Sequence, residues 1–522
     1  MKSIDSNFKF VIVGGGTSGW ITSLYIKKFF PEAQVTVIAS SEIGILGAGE
    51  GSTPHLLTFL KEIDIPLSGV VKGASATIKN GIKFTNWNGD GTNFYQPFSQ
   101  NPEIEHMQNG DIWTGFSLID LERMAEDRSL DDLSLSNILS EENKVPFKRS
   151  AGNGFFNNKP DNQYGFVTLA STSIHFNANM LADYLQNIGV RRGIKLIDAK
   201  VAGFENDEIG NITNIALEGG STVPCDFIFD CTGFRRLIIG NHFKSSWKSY
   251  GESLPVKKAV PFFIKHDGEF IAPYTESIAM KYGWVWKIPV QDRYGCGYVF
   301  DSDFITPEQA KQEVDELMGF EVESPRTLSF DPGSYDTTWI NNCCAIGLSS
   351  GFVEPLEATS IWIQIASLRY FLQHISGVTL DDKMARTRYN QIVKEMNQDT
   401  LEFIHLHYLT KRNDSEFWTT FRQKNKHPER IQILLDELKY SIPDKEFFGQ
   451  YRNYSPSMWY YVIAGARIHD PKIAKELFLS QTQGYRKEIF EQEKYKHEKR
   501  TKQHYQNCLD HNLFLDLLKQ HT

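Results

Sequence analysis

Cysteine is scarce in this chain, six residues in 522, and the adjacent pair Cys343 and Cys344 fits neither a disulfide framework nor a paired CxxC zinc spacing. A reducing, cytoplasmic setting and a site without metal are the expectations that follow. Basic residues are not in excess either. With 55 Lys and Arg against 64 Asp and Glu the formal charge is -9, so the electrostatic footprint of a nucleic-acid binder is missing. No apolar run approaches the ~18 residues that cross a bilayer, and the first residues show neither a basic leader region nor a small-residue cleavage site. Nucleic acid and membrane are thereby set aside as partners. Aromatic residues are plentiful instead, with 36 Phe, 21 Tyr and 10 Trp, so aromatic pockets are expected. At roughly 150 residues per unit the length allows three to four folding units, or fewer if they interleave.

Phe8 to Val13 is a short, β-branched apolar run of the kind that forms a buried parallel strand. Gly14-Gly15-Gly16-Thr17-Ser18-Gly19 follows at once, and from Trp20 to Phe30 the apolar Ile21, Leu24, Tyr25 and Phe29 recur at helical spacing. A second strand, Val35 to Ile38, arrives where a βαβ unit requires it. A GxGxxG string alone is a weak signal; between a strand and a helix it predicts a dinucleotide site. Gly14 permits the tight turn, Gly16 lets backbone approach a pyrophosphate, and Gly19 lets helix and strand pack closely, with the phosphates at the helix N-terminus. The acid that would hold the ribose hydroxyls is missing, since Ala39 stands at the strand end, followed by Ser40, Ser41 and Glu42. A serine hydroxyl or Glu42 replaces it, or the contact is absent.

Only one such fingerprint occurs, which implies one bound dinucleotide. Asp226-Phe227-Ile228-Phe229-Asp230-Cys231-Thr232-Gly233 reads as a late strand ending in glycine, preceded by a turn and an edge strand within Arg191 to Val201. A late strand that returns the chain to the cofactor favours FAD over NAD. Thr359 and Ser360 precede Ile361, Trp362, Ile365, Leu368 and Phe371, an amphipathic pattern with cap-type residues at its start. The N–H groups and dipole of such a helix start suit a halide, a phosphate or a carboxylate equally.

Several further segments resemble one family, the flavin-dependent halogenases of the tryptophan-halogenase type. The opening Gly14 to Trp20 is similar to the family's, and Gly49-Glu50-Gly51-Ser52-Thr53-Pro54 looks like its loop beside the flavin. Ala76 to Trp87 resembles the segment that carries the catalytic lysine, which falls on Lys79, with Lys83 the weaker candidate. Trp284-Val285-Trp286-Lys287-Ile288-Pro289 matches the family's WxWxIP signature. Phe352 to Ser360 resembles the segment with the catalytic glutamate, which falls on Glu357 ahead of its neighbour Glu354, and with the halide-binding amides, which fall on Thr359 and Ser360. Met458-Trp459 and Ala464-Gly465 resemble a late helical motif.

What the resemblance implies is a two-component reaction. Reduced FAD from a separate reductase, with O2, gives a flavin hydroperoxide that oxidises chloride, bromide or iodide to hypohalous acid. Lys79 passes that oxidant on, as a haloamine or by hydrogen-bonding it, and Glu357 orients the oxidant or accepts the proton lost from the ring. Gly14, Gly16, Thr17, Ser18, Gly19, Glu50, Gly51 and Ser52 would hold the cofactor, and Trp284, Trp286, Ile288 and Pro289 would wall the flavin from the substrate. Tryptophan-specific members carry histidine and phenylalanine in a Tyr-His-Pro-Phe stretch; here Tyr95-Gln96-Pro97-Phe98 keeps Phe98 and has Gln96 for the histidine. An electron-rich aromatic of the indole or phenol type, not necessarily free tryptophan, is therefore the expected acceptor.

The expected fold class is α/β: a three-layer, Rossmann-like FAD-binding module with interleaved substrate-binding segments and a largely helical C-terminal region. Residues 1–375 would form that module, with flavin pieces near 8–55, 190–240 and 340–375, and 376–522 a helical cover. Arg386 to Phe403, Pro428 to Tyr440 and the charged stretch Tyr485 to Lys502 are the expected helices. Self-association stays open. A flavin monooxygenase acting on an aromatic and a non-catalytic flavin-binding protein are the rival readings.

Overall fold

The computed structural model describes residues 4–44, 50–98, 118–149, 166–266, 270–324, 326–375, 380, 382–423 and 427–520. The chain divides into two compact units, each built from three separate stretches. The first comprises Met1–Ala76, Phe176–Glu252 and Asp331–Gln398, and the second Thr77–His175, Ser253–Phe330 and Asp399–Thr522. The segments 8–55, 190–240 and 340–375 all fall in the first unit.

At the centre of the first unit is a six-stranded sheet in the order Lys195–Asp198, Gln34–Ala39, Lys9–Val13, Phe227–Asp230, Cys343–Ala345, Trp339–Ile340. The first five strands run parallel and the last antiparallel. Alternation along the strands sends side chains to two different layers. Val11, Val13, Ile228 and Cys343 pack with Ile212, Ile215 and Leu217 of a three-stranded meander. Phe227 and Phe229 turn the other way, toward Phe371 on the helix Ser360–Ile375. Meander, sheet and helix are the expected three layers, and Lys195–Asp198 is the expected edge strand.

A seven-stranded sheet organises the second unit, in the order Leu328–Ser329, Lys258–Lys265, Arg293–Phe300, Gly283–Pro289, Tyr274–Met280, Gly81–Thr85, Asn93–Pro97. One face carries Val260, Phe262, Val285, Cys296 and Tyr298 against the helix Pro307–Met318. Trp284, Trp286 and Ile288 alternate with Val285 and so take the opposite face. The helical expectations appear as Lys383–His407, Glu429–Glu437 and Tyr485–Asn507. Among the described residues no helix is long and apolar enough to cross a membrane.

Candidate functional site

The candidate residues fall into two groups, one in each unit. In the first unit the strand Lys9–Val13 runs through the glycine turn into the helix Thr17–Phe29, with Gly16 as its N-cap. Gly14 has φ +120°, and a β-carbon on it would stand 2.2 Å from the Cys231 carbonyl oxygen. On Gly19 a β-carbon would stand 1.8 Å from the Gly14 carbonyl, so close backbone contact requires glycine at both positions. Gly16 is different: a β-carbon there would meet nothing within 4 Å, which leaves open space at the first turn of a helix whose N-cap supplies no side-chain hydrogen bond. Ser18 Oγ donates to the Ile346 carbonyl at 3.3 Å, and the buried Thr17 hydroxyl has no hydrogen-bond partner among the described residues. Free N–H groups, a turned-back hydroxyl and room in front of Gly16 fit the pyrophosphate of FAD. Glu50–Gly51 is a short strand and Ser52 is buried; Gly49 and the Glu50 side chain lie outside the described residues.

In the region of the missing ribose acid the structure brings a further acidic residue alongside. Glu42 is drawn into an ion pair with Lys200. A carboxylate arrives instead from the neighbouring strand, where Asp198 pairs with Ala39 and its Oδ1 accepts from the Ser41 N–H at 2.9 Å. Only the strand order brings that acid alongside, so no local spacing announces it.

Farther along the first unit, Glu354 and Glu357 are both buried, so burial alone does not choose between them. Ala358, directly after Glu357, has φ +53°, a left-handed conformation that costs a non-glycine residue roughly 1–2 kcal/mol. The helix Ser360–Ile375 starts two residues on, with the Thr359 carbonyl accepting its first backbone bond from Ile363 at 2.9 Å. The left-handed turn thus lies between Glu357 and the start of a 16-residue helix.

In the second unit Lys79 ends the strand Thr77–Lys79 and is fully buried. Its Nζ lies 5.3 Å from the centroid of the Phe98 ring, within cation–π range. Polar groups from four other segments surround this strand. Thr77 Oγ1 donates to the Pro289 carbonyl at 2.7 Å, which leaves it to accept from His175 Nδ1 at 3.1 Å. His175 Nε2 then accepts from Thr275 Oγ1 at 3.0 Å. Burial first, and then the charge of Lys79, hold the His175 pKa well below the usual histidine value. His511 Nε2 accepts from the Ile78 N–H at 2.9 Å, and its Nδ1 donates to the Ile271 carbonyl at 2.7 Å. Burial pushes its pKa down to about 4, so both imidazoles are neutral.

Register places Gln96 and Phe98 on the sheet face of Trp284, Trp286 and Ile288, through Ile82 and Thr275. Lys83 points to the other face, its Nζ 5.3 Å from the Tyr95 ring centroid and 5.6 Å from that of Tyr274. The Gln96 side chain is buried, and neither its Oε1 nor its Nε2 has a hydrogen-bond partner among the described residues. Trp284 Nε1 donates to the Tyr408 hydroxyl at 3.0 Å. Trp286 lies flat over Gly297, where a β-carbon would stand 2.1 Å from its Cη2. On the helix Pro456–Gly465, Trp459 packs among Phe403, Phe448 and Tyr451, and Gly465 abuts the Phe94 ring two residues before Gln96. Thr77, His175, Thr275, Gly297 and His511 escaped sequence reasoning. Gly295-Cys296-Gly297 is a signal for a flat platform opposite large rings, but nothing local marks the two histidines.

Comparison with known proteins identifies the family. The family model described as tryptophan halogenase matches residues 9–480. A tryptophan 6-halogenase, SttH of Streptomyces toxytricini, is 31% identical over 474 residues, covering 88% of this chain and 89% of that protein. The tryptophan 7-halogenase RebH of Lentzea aerocolonigenes is 29% identical over 479 residues, 88% and 89% of the two chains. Among solved structures, that of Tar14, a tryptophan C-6 flavin-dependent halogenase from taromycin biosynthesis, superposes with a TM-score of 0.86 at 27% identity, covering 98% of this chain and 100% of that one. The chain belongs to the tryptophan halogenase family, and it is an enzyme, a flavin-dependent halogenase.

Proposed function

We propose that this halogenase passes hypohalous acid through Lys79 to an electron-rich aromatic of the indole or phenol type, using reduced FAD delivered by a separate reductase. Bound reduced FAD, with O2, supplies the oxidising equivalents that convert halide to hypohalous acid. Gly14, Gly16, Thr17, Ser18, Gly19, Glu50, Gly51 and Ser52 hold that cofactor, and the Asp198 carboxylate serves its ribose. The backbone amides of Thr359 and Ser360 hold the halide, where the N-terminus of a 16-residue helix favours an anion. The observation that carries the reading is the complete burial of Lys79 with its amine at an aromatic ring. Lysine is almost never fully buried without a specific reason, and an amine that hands on a small oxidant must be kept from bulk water. Whether it reacts to a haloamine or holds the acid by hydrogen bonding, the same nitrogen stands next to the acceptor ring.

Glu357 accepts the proton that the ring loses as aromaticity returns, and its carboxylate offsets the positive charge that develops before that loss. Trp284, Trp286, Ile288 and Pro289 exclude the organic acceptor from the flavin, which disfavours direct oxygen insertion. Phe98 stacks on the acceptor. The curated relatives act on tryptophan by name, but Gln96 offers a buried carboxamide with no hydrogen-bond partner among the described residues. An indole N–H or phenol O–H donating to Gln96 Oε1 supplies such a partner. The six cysteines are all free, buried thiols, which supports a cytoplasmic setting.

The test is product analysis by mass spectrometry, with a flavin reductase, chloride, bromide and iodide, and a panel of indoles, phenols and free tryptophan. A halogenated ring is the expected product. Oxygenated products without halogen would establish the monooxygenase reading instead.

A further inference from the structure

We infer that His511 is a positioning residue for Lys79: its imidazole takes the place of a missing neighbour strand and fixes the backbone that carries the amine. The inference rests on the reading of Lys79 as the amine that handles the oxidant. His511 stands outside residues 9–480, the span matched by the family model.

The strand Thr77–Lys79 has only three residues. Its ladder with Ser173–Phe176 pairs Ser173 with Lys79, Ile174 with Ile78 and His175 with Thr77. In an antiparallel ladder successive residues point their N–H groups alternately toward and away from the partner. The Ile78 N–H points away, and a buried N–H needs an acceptor. His511 Nε2 is that acceptor, at 2.9 Å and 433 positions along the chain.

The imidazole is itself held firmly. It is fully buried, and its Nδ1 donates to the Ile271 carbonyl at 2.7 Å, which fixes the tautomer with a lone pair on Nε2. Its backbone N–H donates to the Asn143 carbonyl at 2.9 Å, while Leu509–Asp510 pairs with Lys144–Val145. The residue after Lys79 ends at the same place. Asn80 Nδ2 donates to the Lys144 carbonyl at 2.9 Å, and the Asn80 N–H donates to the Pro273 carbonyl at 2.6 Å. Ile78 and Asn80, on either side of the lysine, are thus braced by one closed circuit that runs through 511, 510 and 144. An amine that selects one carbon of an acceptor has to be fixed to within a fraction of an ångström, and a misplacement near 1 Å lowers rate by about a hundredfold. The burial and low pKa of His511 keep it neutral, so the acceptor lone pair persists across the working pH range.

The experiment measures two quantities in the full-chain enzyme supplied with FAD, reductase and halide: halogenated acceptor, and hypohalous acid escaping to an added 1,3-diketone trap. For His511→Ala the ratio of acceptor product to trapped oxidant should fall roughly ten- to hundredfold, because halide oxidation continues while transfer suffers. His511→Gln, whose carboxamide oxygen can accept from the Ile78 N–H, should restore most of the ratio. Asn80→Ala, at the other end of the brace, should lower the ratio in the same direction and serves if the His511 variant does not fold. Leu518→Ala, a core truncation in the same helix, should lower Tm and leave the ratio unchanged. In flavin-free protein, hydrogen–deuterium exchange of a peptide covering 75–82 should quicken in His511→Ala and return toward the parent rate in His511→Gln. An unchanged ratio in both His511→Ala and Asn80→Ala, beside a collapsed ratio in Lys79→Ala, overturns the inference and leaves the Lys79 reading intact. An unchanged ratio in Lys79→Ala overturns that reading and the inference with it.

Discussion

A lysine without exposed surface has given up its hydration. In Lys79 the loss is accompanied by an aromatic ring 5.3 Å from the amine and by two neutral histidines beside its strand. Lys79→Ala should retain FAD binding, followed by flavin absorbance, and should lower halogenated product by at least about a hundredfold, the low end of what a positioned proton- or group-transfer residue contributes. At Gly16 the open space separates ligand effects from folding effects. Gly16→Val should leave the unfolding free energy within about 1 kcal/mol of the parent, since nothing among the described residues stands within 4 Å of the added β-carbon, yet abolish FAD binding. Gly19→Ala should instead destabilise the fold by several kcal/mol, because its β-carbon meets the Gly14 carbonyl. Equal loss of FAD affinity with equal loss of Tm in both variants would contradict this division.

Among the elements, those with a local cause were legible and those assembled from distant parts were not. Strand, glycine turn and helix were readable because each step of that motif is set by its own few residues, and the structure places the strand ends within one position of the expectation and the helix start three positions earlier. The side-by-side placement of Trp284, Trp286 and Ile288 was readable for the same reason, since period-two alternation fixes a face. The polar shell of Lys79 was not readable. Thr77 meets His175 and Pro289 across 98 and 212 positions, and Ile78 meets His511 across 433. The left-handed turn at Ala358 was hidden as well, because alanine gives no hint of positive φ. The tryptophan strand carries a prediction of its own. Gly297→Ala places a methyl group 2.1 Å from Trp286 Cη2, so the ring must swing away. Stability should fall by about 1–3 kcal/mol, read as a lower urea midpoint, and trapped hypohalous acid should rise relative to product as the wall loosens. Unaltered Trp fluorescence and unaltered product partition would count against the wall.

For the molecule as a whole, pH acts through groups of opposite sign. Burial pushes His511 down to about 4, from 6.5 in an unfolded chain, and holds His175 well below 6.5 as well. As pH falls from 6.5 toward 4 the unfolded state takes up protons that the folded state refuses, so these histidines stabilise the fold above 6.5 and lose that contribution on acidification. Burial raises the Asp131 carboxyl from 3.8 to about 7, against the opposing hydrogen bond from the Tyr95 N–H. Its contribution is complete below about 4 and disappears as pH rises to 7. Asp131→Asn keeps the acceptor for Tyr95 and removes the ionisation, so Tm at pH 8 should rise relative to the parent while Tm near pH 4 stays close to it. A parent-like gap between the two pH values in that variant would show that Asp131 ionises freely.

Both units are threaded from three stretches of chain, and the backbone N–H next to Lys79 waits for residue 511. During synthesis that wait lasts until 433 further residues have left the ribosome. A nascent chain thus carries Lys79 long before the histidine that accepts from its neighbour's N–H exists. A fragment that stops short of residue 511 leaves the Ile78 N–H without this acceptor, so the contact belongs to the folded chain and to no shorter piece of it.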